Sequence, residues 1–87
     1  FYDRKKYEKA ISKYKEAFGF AETNEQRSIC LNNCGDSLNG LGEYKKAIKK
    51  FEEALDFTED KEQKSRCLKG CGDSLEGLGK YKESIKR

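Results

Sequence analysis

Cys34-Gly35-Asp36-Ser37-Leu38-Asn39-Gly40-Leu41-Gly42 returns 37 positions later as Cys71-Gly72-Asp73-Ser74-Leu75-Glu76-Gly77-Leu78-Gly79, with a single difference. A segment copied this closely at a fixed period marks a repeat architecture, in which one supersecondary unit stacks on the next. The copy extends outward. Cys30-Leu31 returns as Cys67-Leu68. Tyr7, Tyr44 and Tyr81 align, as do Ile11, Ile48 and Ile85, and Ala10, Ala47 and Ser84. Residues 30–50 and 67–87 agree at 14 of 21 positions.

Each unit reads as two helices. The first runs from about Asn24 to Asn39, and its copy from about Lys61 to Glu76. Thr23 with Gln26, and Asp60 with Gln63, have the spacing of a capping box. Cys30, Leu31, Cys34, Gly35 and Leu38 then trace one helical face. Gly40-Leu41-Gly42 ends the helix, because glycine reaches the left-handed conformation without a Cβ clash. Gly77-Leu78-Gly79 is expected to do the same. A connection this short sends the next helix back antiparallel. That second helix, about Glu43 to Phe57, carries Tyr44, Ala47, Ile48, Phe51, Ala54 and Leu55 as an apolar stripe. Tyr7, Ala10, Ile11, Tyr14, Ala17 and Phe18 repeat the stripe upstream, and Tyr81, Ser84 and Ile85 begin it a third time. No segment alternates with period two, and β-branched residues are scarce, so strands are excluded. The reading is five helices in three units: 1–22 as the second helix of a repeat, 23–59 as a full repeat, and 60–87 as a partial one.

Composition narrows the function. Of the 87 residues, 34% are hydrophobic and 40% charged, a balance that permits disorder were the apolar positions not periodic. The 19 basic and 16 acidic residues alternate along the chain, as on solvated helix faces, rather than gathering into a nucleic-acid footprint. Lys45, Lys46, Lys49 and Lys50, followed by Glu52, Glu53 and Asp56, read as such a face, with docking to an acidic partner as the competing reading. There is no histidine, hence neither the commonest general base nor the commonest metal ligand. No nucleophile–base or carboxylate constellation takes its place, so catalysis is not expected, nor is a cofactor. No apolar run has membrane-span length, and no signal-peptide pattern opens the chain. Together with four cysteines in no disulfide framework, this points to a cytoplasmic, reducing setting. Phe1 at the start and the lack of any Met suit a segment of something longer.

The pattern resembles the tetratricopeptide repeat along the whole chain. Leu31, Cys34-Gly35 and Leu38 fit that family's first helix, and Leu68, Cys71-Gly72 and Leu75 fit it again. Gly42-Glu43-Tyr44 with Ala47, then Phe51 and Ala54, fit its second helix. Gly79-Lys80-Tyr81 with Ser84, and Tyr14 with Ala17, match in part. Glu59 stands where the family places Pro, and the period of 37 exceeds the usual length of about 34. The extra residues fall before Ser28 and Ser65, lengthening the first helix by nearly a turn at about 1.5 Å per residue. The resemblance implies an all-α fold of antiparallel hairpins stacked as a right-handed solenoid. It also implies a scaffold whose first helices line a concave surface that binds a peptide or partner subunit. On this chain that surface comprises Ile29, Asn32, Asn33, Asp36 and Asn39, then Arg66, Lys69, Asp73 and Glu76. Asn offers both donors and acceptors to a peptide backbone. Arg66 and Lys69 suit an acidic group, whereas Asp36 and Asp73 repel a terminal carboxylate.

Two other readings stand beside this one. An RNA-binding repeat of the pentatricopeptide kind needs a basic groove and base-reading pairs; Asp36, Asp73 and Glu76 oppose it. A purely structural or designed repeat segment also fits the near-verbatim copying. The cysteines Cys30, Cys34, Cys67 and Cys71 have three readings: small apolar filler at tight helix crossings, a zinc site, or disulfides. Filler is favoured. Equivalent positions on packed helices lie roughly 8–10 Å apart, whereas four thiolates would have to converge to about 2.3 Å from one ion.

Two and a half hairpins without polar caps stand near the lower limit for an autonomous repeat fold. The isolated chain is expected to melt at low temperature or to self-associate through its open ends. Calorimetry with sedimentation checks this, and a monomer melting above about 70 °C contradicts it.

Overall fold

The structure, a computed structural model, describes residues 3–86. Residues 1, 2 and 87, at the outer edges of the units 1–22 and 60–87, lie outside the described residues. Four helices account for nearly all of it: α1 (Arg4–Phe20), α2 (Asn24–Gly40), α3 (Tyr44–Phe57) and α4 (Lys61–Lys86). The described residues contain no strand.

Local chemistry sets the helix starts. Asp3 accepts a hydrogen bond from Lys6 N (3.3 Å). Thr23 and Gln26 form the full capping box: Thr23 Oγ1 accepts from Gln26 N (3.1 Å), and Gln26 Oε1 accepts from Thr23 N (3.2 Å). The Asp60–Gln63 pair forms half of one. Asp60 Oδ1 accepts from Gln63 N (2.8 Å), but the Gln63 side chain turns inward to Ser28 Oγ (3.4 Å) and Cys67 Sγ (3.7 Å). The place Gln63 leaves is filled by Thr58 Oγ1, which accepts from Asp60 N (3.1 Å) and donates to Glu25. The α3–α4 connection is thereby fastened to the first turn of α2.

Helix α2 stops as expected. Gly42 is the sole described residue with a left-handed backbone, at φ 79°. Glu43 N donates to the Leu38 carbonyl across it (2.9 Å), closing a Schellman motif. The identical triplet Gly77-Leu78-Gly79 does not stop α4, which runs unbroken to Lys86. The five-helix reading is corrected to four. In the first copy, a returning helix buries Ala47, Phe51 and Ala54 completely. In the second, the described residues after Gly79 offer Tyr81 and Ile85 for burial, and a new helix would have to nucleate for these two. Extending α4 gains one hydrogen bond per residue without that nucleation cost.

Helix α2 packs against α1, α3 and α4, and α3 packs against α2 and α4. No Cα of α1 comes within 8 Å of α4, so the ends of the series do not close on each other. The extents of 47 × 28 × 18 Å and radius of gyration of 13.3 Å reflect this. A compact chain of this length would have a radius of about 12 Å.

The core is two small clusters. One joins Cys34, Leu38, Ala47 and Phe51, with Ile11, Tyr14 and Cys71 at its edge. The other joins Leu31, Ala54 and Cys67, with Phe18, Leu55 and Phe57 around it. Phe18 and Phe57 meet edge to face, 5.9 Å between centroids. Phe51 lies between two glycines: a Cβ added at Gly35 would sit 2.8 Å from its ring, and one at Gly70 closer still. The aromatic-on-glycine device repeats at 37 positions, with the Tyr7 ring over Gly40 and the Tyr44 ring over Gly77.

Gly72, the copy of Gly35, has nothing within 4 Å of an added Cβ. The pair separates packing from propensity. Gly35→Ala should cost about 1–3 kcal/mol through overpacking against a ring with no room to retreat. Gly72→Ala should add up to about 1 kcal/mol, as alanine normally does in a helix. Urea melts in dilute solution measure both, and equal effects would refute the wedge.

Candidate partner-binding groove

Helices α2 and α4 are drawn together by Phe51, and polar side chains fasten the contact. Asn39 Nδ2 donates to the Gly70 carbonyl (3.3 Å). Ser74 Oγ donates to Asn39 Oδ1 (2.6 Å) and lies 3.0 Å from the same carbonyl. Beside this tie runs a shallow groove lined by Asn32, Asn33, Asp36, Arg66, Lys69, Gly70 and Asp73.

Six of the nine expected partner-binding residues therefore share one groove. The other three do not line it. Asn39 is spent on the α2–α4 tie. Ile29 is exposed outside the groove. Glu76 is exposed and pairs with Lys80 (3.7 Å). Asn32, expected on an open face, is 9% exposed. Its Oδ1 is buried and has no hydrogen-bond partner among the described residues. A buried amide oxygen left unpaired costs about 1–3 kcal/mol. Gly70 went unread in the sequence because its copy is Asn33. The signal available was its position, one turn before Ser74 on the same helix face.

The groove is mixed in charge. Asp36 is exposed, yet partial desolvation by its surroundings raises its carboxyl above the ordinary range, the Asp73 carboxylate raises it further, and Lys69 offsets part of the effect. Arg66 holds Glu62 (3.1 Å) at the groove's edge. Two carboxylates close enough to feel each other are a poor site for an anion and a good one for a cationic side chain.

The remaining candidates carry less chemistry. All four cysteines are free thiols, and no group of three or more Cys, Asp or Glu side chains among the described residues is placed to hold a metal ion. Burial pushes the Cys34 and Cys67 thiols up, which favours the unreactive protonated form. On the opposite side, a cleft between α1 and α3 has an apolar floor of Cys34, Leu38 and Leu41 and a rim that includes Lys15, Lys46, Lys50 and Glu53. In the lysine run, Lys46 pairs with Glu43 (3.1 Å) and Lys50 with Glu53 (3.9 Å). Exposed pairs of this kind contribute little. No helix among the described residues is long and apolar enough to cross a membrane.

The raised Asp36 carboxyl has a definite consequence for stability. The folded chain holds this proton more tightly than the unfolded chain does. The group's contribution therefore grows as pH falls through its raised range and is lost as pH rises. Asp36→Asn should raise the melting midpoint at about pH 7, and the gain should fade by about pH 3, where both forms are neutral. Thermal melts of the two proteins across that range check the sign.

No family model matches the chain, and neither does any curated protein or solved structure.

Proposed function

We propose that this chain is a protein–protein interaction scaffold of the tetratricopeptide kind. Its hairpins stack side by side as a right-handed solenoid, and the α2–α4 groove receives an extended peptide or a partner's segment. Two features favour the stack. The Tyr7–Gly40 and Tyr44–Gly77 packings are equivalent across the repeat, and α1 stays clear of α4. The observation that carries the binding reading is the meeting of Asn32, Asn33, Asp36, Arg66, Lys69 and Asp73 on one groove.

Each part has a role in this reading. Asn33, half-buried beside Asn32, offers a peptide backbone both a donor and an acceptor. Asp36 and Asp73 take a lysine or arginine of the ligand. Arg66 and Lys69 select an acidic residue further along. The groove is held by helices rather than loops, so little ordering entropy is lost when a ligand binds. The chain thus works by binding, with no catalytic step. The same two carboxylates oppose a nucleic-acid backbone, which leaves the RNA-repeat reading without a supporting contact.

Fluorescence anisotropy with labelled peptides of varied charge tests this at about 150 mM salt. Peptides carrying a basic residue should bind better than acidic ones. Replacing both Asp36 and Asp73 by Asn should weaken them roughly tenfold and abolish the preference. Affinity should also fall as pH drops through the raised Asp36 range, because the cation loses its carboxylate. Unchanged affinity in the double variant, or tighter binding of single-stranded RNA than of any peptide, would sink the proposal.

A further inference from the structure

The side of α2 that faces away from the α2–α4 groove floors a second cleft, whose walls are α1 and α3. Both walls pack on α2, yet no Cα of α1 comes within 8 Å of α3, so the floor stays open between them. Two hollows of about 310 and 200 Å³ follow one another along it. Leu38 and Leu41 floor the first, with Ile11 at its side; Leu31 floors the second, beside Tyr14 and Phe18. The hollows adjoin, since Lys15 and Cys34 line both. Leu31 and Leu38 stand about two helical turns apart on α2.

The rim of this cleft has the opposite charge preference to the α2–α4 groove. Each carboxylate that lines it is held by a base: Glu8 by Arg4 (3.5 Å), Glu43 by Lys46 (3.1 Å) and Glu53 by Lys50 (3.9 Å). Lys15 on α1 and Lys49 on α3 are exposed and have no carboxylate partner among the described residues. Each wall therefore brings one uncompensated ammonium group to an apolar floor. The floor feels both walls: burial pushes the Cys34 thiol up, while Lys50 from α3 and Lys15 from α1 pull it part of the way back.

These features select an occupant. Apolar hollows accept apolar side chains, and the two unpaired lysines accept carboxylates. The walls are helices whose backbone groups bond within themselves, and no amide side chain lines the cleft. An extended peptide would leave its own N–H and C=O groups short of partners there, whereas a helix satisfies its own. The hollows are too small for a whole helix about 10–12 Å across, so such a ligand rides above them and lowers side chains in. We propose that the α1–α3 cleft is a second docking site, for an acidic amphipathic helix of a protein partner, which sets two apolar side chains about two turns apart into the hollows and its carboxylates against Lys15 and Lys49. The site stands independently of what the α2–α4 groove binds, because the two share no lining residue.

The probe is a fluorescently labelled, alanine-based helical peptide of about 15 residues, with two leucines about two turns apart and glutamates beside them. Anisotropy titrations with the whole chain at about 150 mM salt should show saturable binding, about tenfold tighter than for the same peptide with lysines in place of the glutamates. Lys15→Glu combined with Lys49→Glu, both at exposed positions, should weaken the acidic probe about tenfold or more without unfolding the chain. Replacing Asp36 and Asp73 by Asn should leave the same probe within about twofold, so this reading and that of the α2–α4 groove fail separately. In NMR spectra of the chain, the probe should shift the amides of Ile11, Leu38 and Leu41 and spare those of Asn33 and Asp73. No binding up to about 1 mM probe overturns the proposal. So does equal affinity for the lysine peptide, unchanged affinity in the Lys15/Lys49 variant, or shifts centred on Asn33 and Asp73. Displacement of the probe by an equal concentration of decanoate overturns it as well, by assigning the cleft to acyl carboxylates.

Discussion

The ring of Phe51 sets the geometry on which the rest of the chain depends. It has no exposed surface, and glycine backbones approach it from α2 and α4. A side chain of this size buries roughly 150–250 Å². In a chain only 34% hydrophobic, few other residues bury so much. Ala47 and Ala54, one turn either side on α3, let that helix lie close enough for the ring to reach both neighbours. Gly35 and Gly70 each cost about 1 kcal/mol in helix propensity, and the tight contact offsets it. Because both helices must approach one ring, they also approach each other. The groove with Asn32, Asp36 and Asp73 on its walls is a by-product of that approach, fixed by Asn39 and Ser74.

Much of this was legible from the residues alone. The period, the helix starts at Thr23 and Asp60, the Gly42 turn and the stripe on α3 all follow from local spacing, and the structure places them within a residue or two. So does the convergence of six polar residues on one groove, because residues three and four apart share a helix face whatever the tertiary context. Reading failed where the outcome depended on a neighbour. Gly70 drew no reading, since its copy is Asn33 and the repeat gives it no glycine counterpart. Asn32 looked solvent-facing, and the approach of α4 buried it. Gln63 has the spacing of a cap, but Ser28 and Cys67, far away in sequence, draw its side chain inward. In each case the deciding partner belongs to another helix.

The two Gly-Leu-Gly triplets make the same point more sharply. Gly40-Leu41-Gly42 turns the chain, and Gly77-Leu78-Gly79 lets a helix pass straight through. Glycine permits the left-handed conformation but does not require it. What selects it at Gly42 is the returning α3, whose fully buried Ala47, Phe51 and Ala54 outweigh the hydrogen bonds that a continued α2 would have made. After Gly79 the described residues offer only Tyr81 and Ile85 for burial, and helix propagation wins. A turn in this chain is therefore a tertiary decision written at a locally neutral spot.

The same logic divides labour among helix faces. On α2, one side meets α1 and α3 through Leu31, Cys34 and Leu38, and another meets α4 and the groove through Asn32, Asp36 and Asn39. Leucine, cysteine and glycine recur on the first side in both units; in the first a helix packs on them within van der Waals reach, and in the second Leu68, Gly72 and Leu75 are exposed. On the second side the copies diverge: Asn32 becomes Lys69, Asn33 becomes Gly70 and Asn39 becomes Glu76. Two of these positions lie in the α2–α4 contact: Gly70 takes the Phe51 ring, and Asn39 donates to the Gly70 carbonyl. Similarity between the units thus records the hairpin contact of α2 with α3, and part of the difference records the α2–α4 contact, which each helix meets with its own residues. Asp36 and Asp73 are the exception, identical on the divergent side although their proximity raises the cost of ionising Asp36. Under the proposed reading of the groove, that repeated pair is what a ligand's cation would meet.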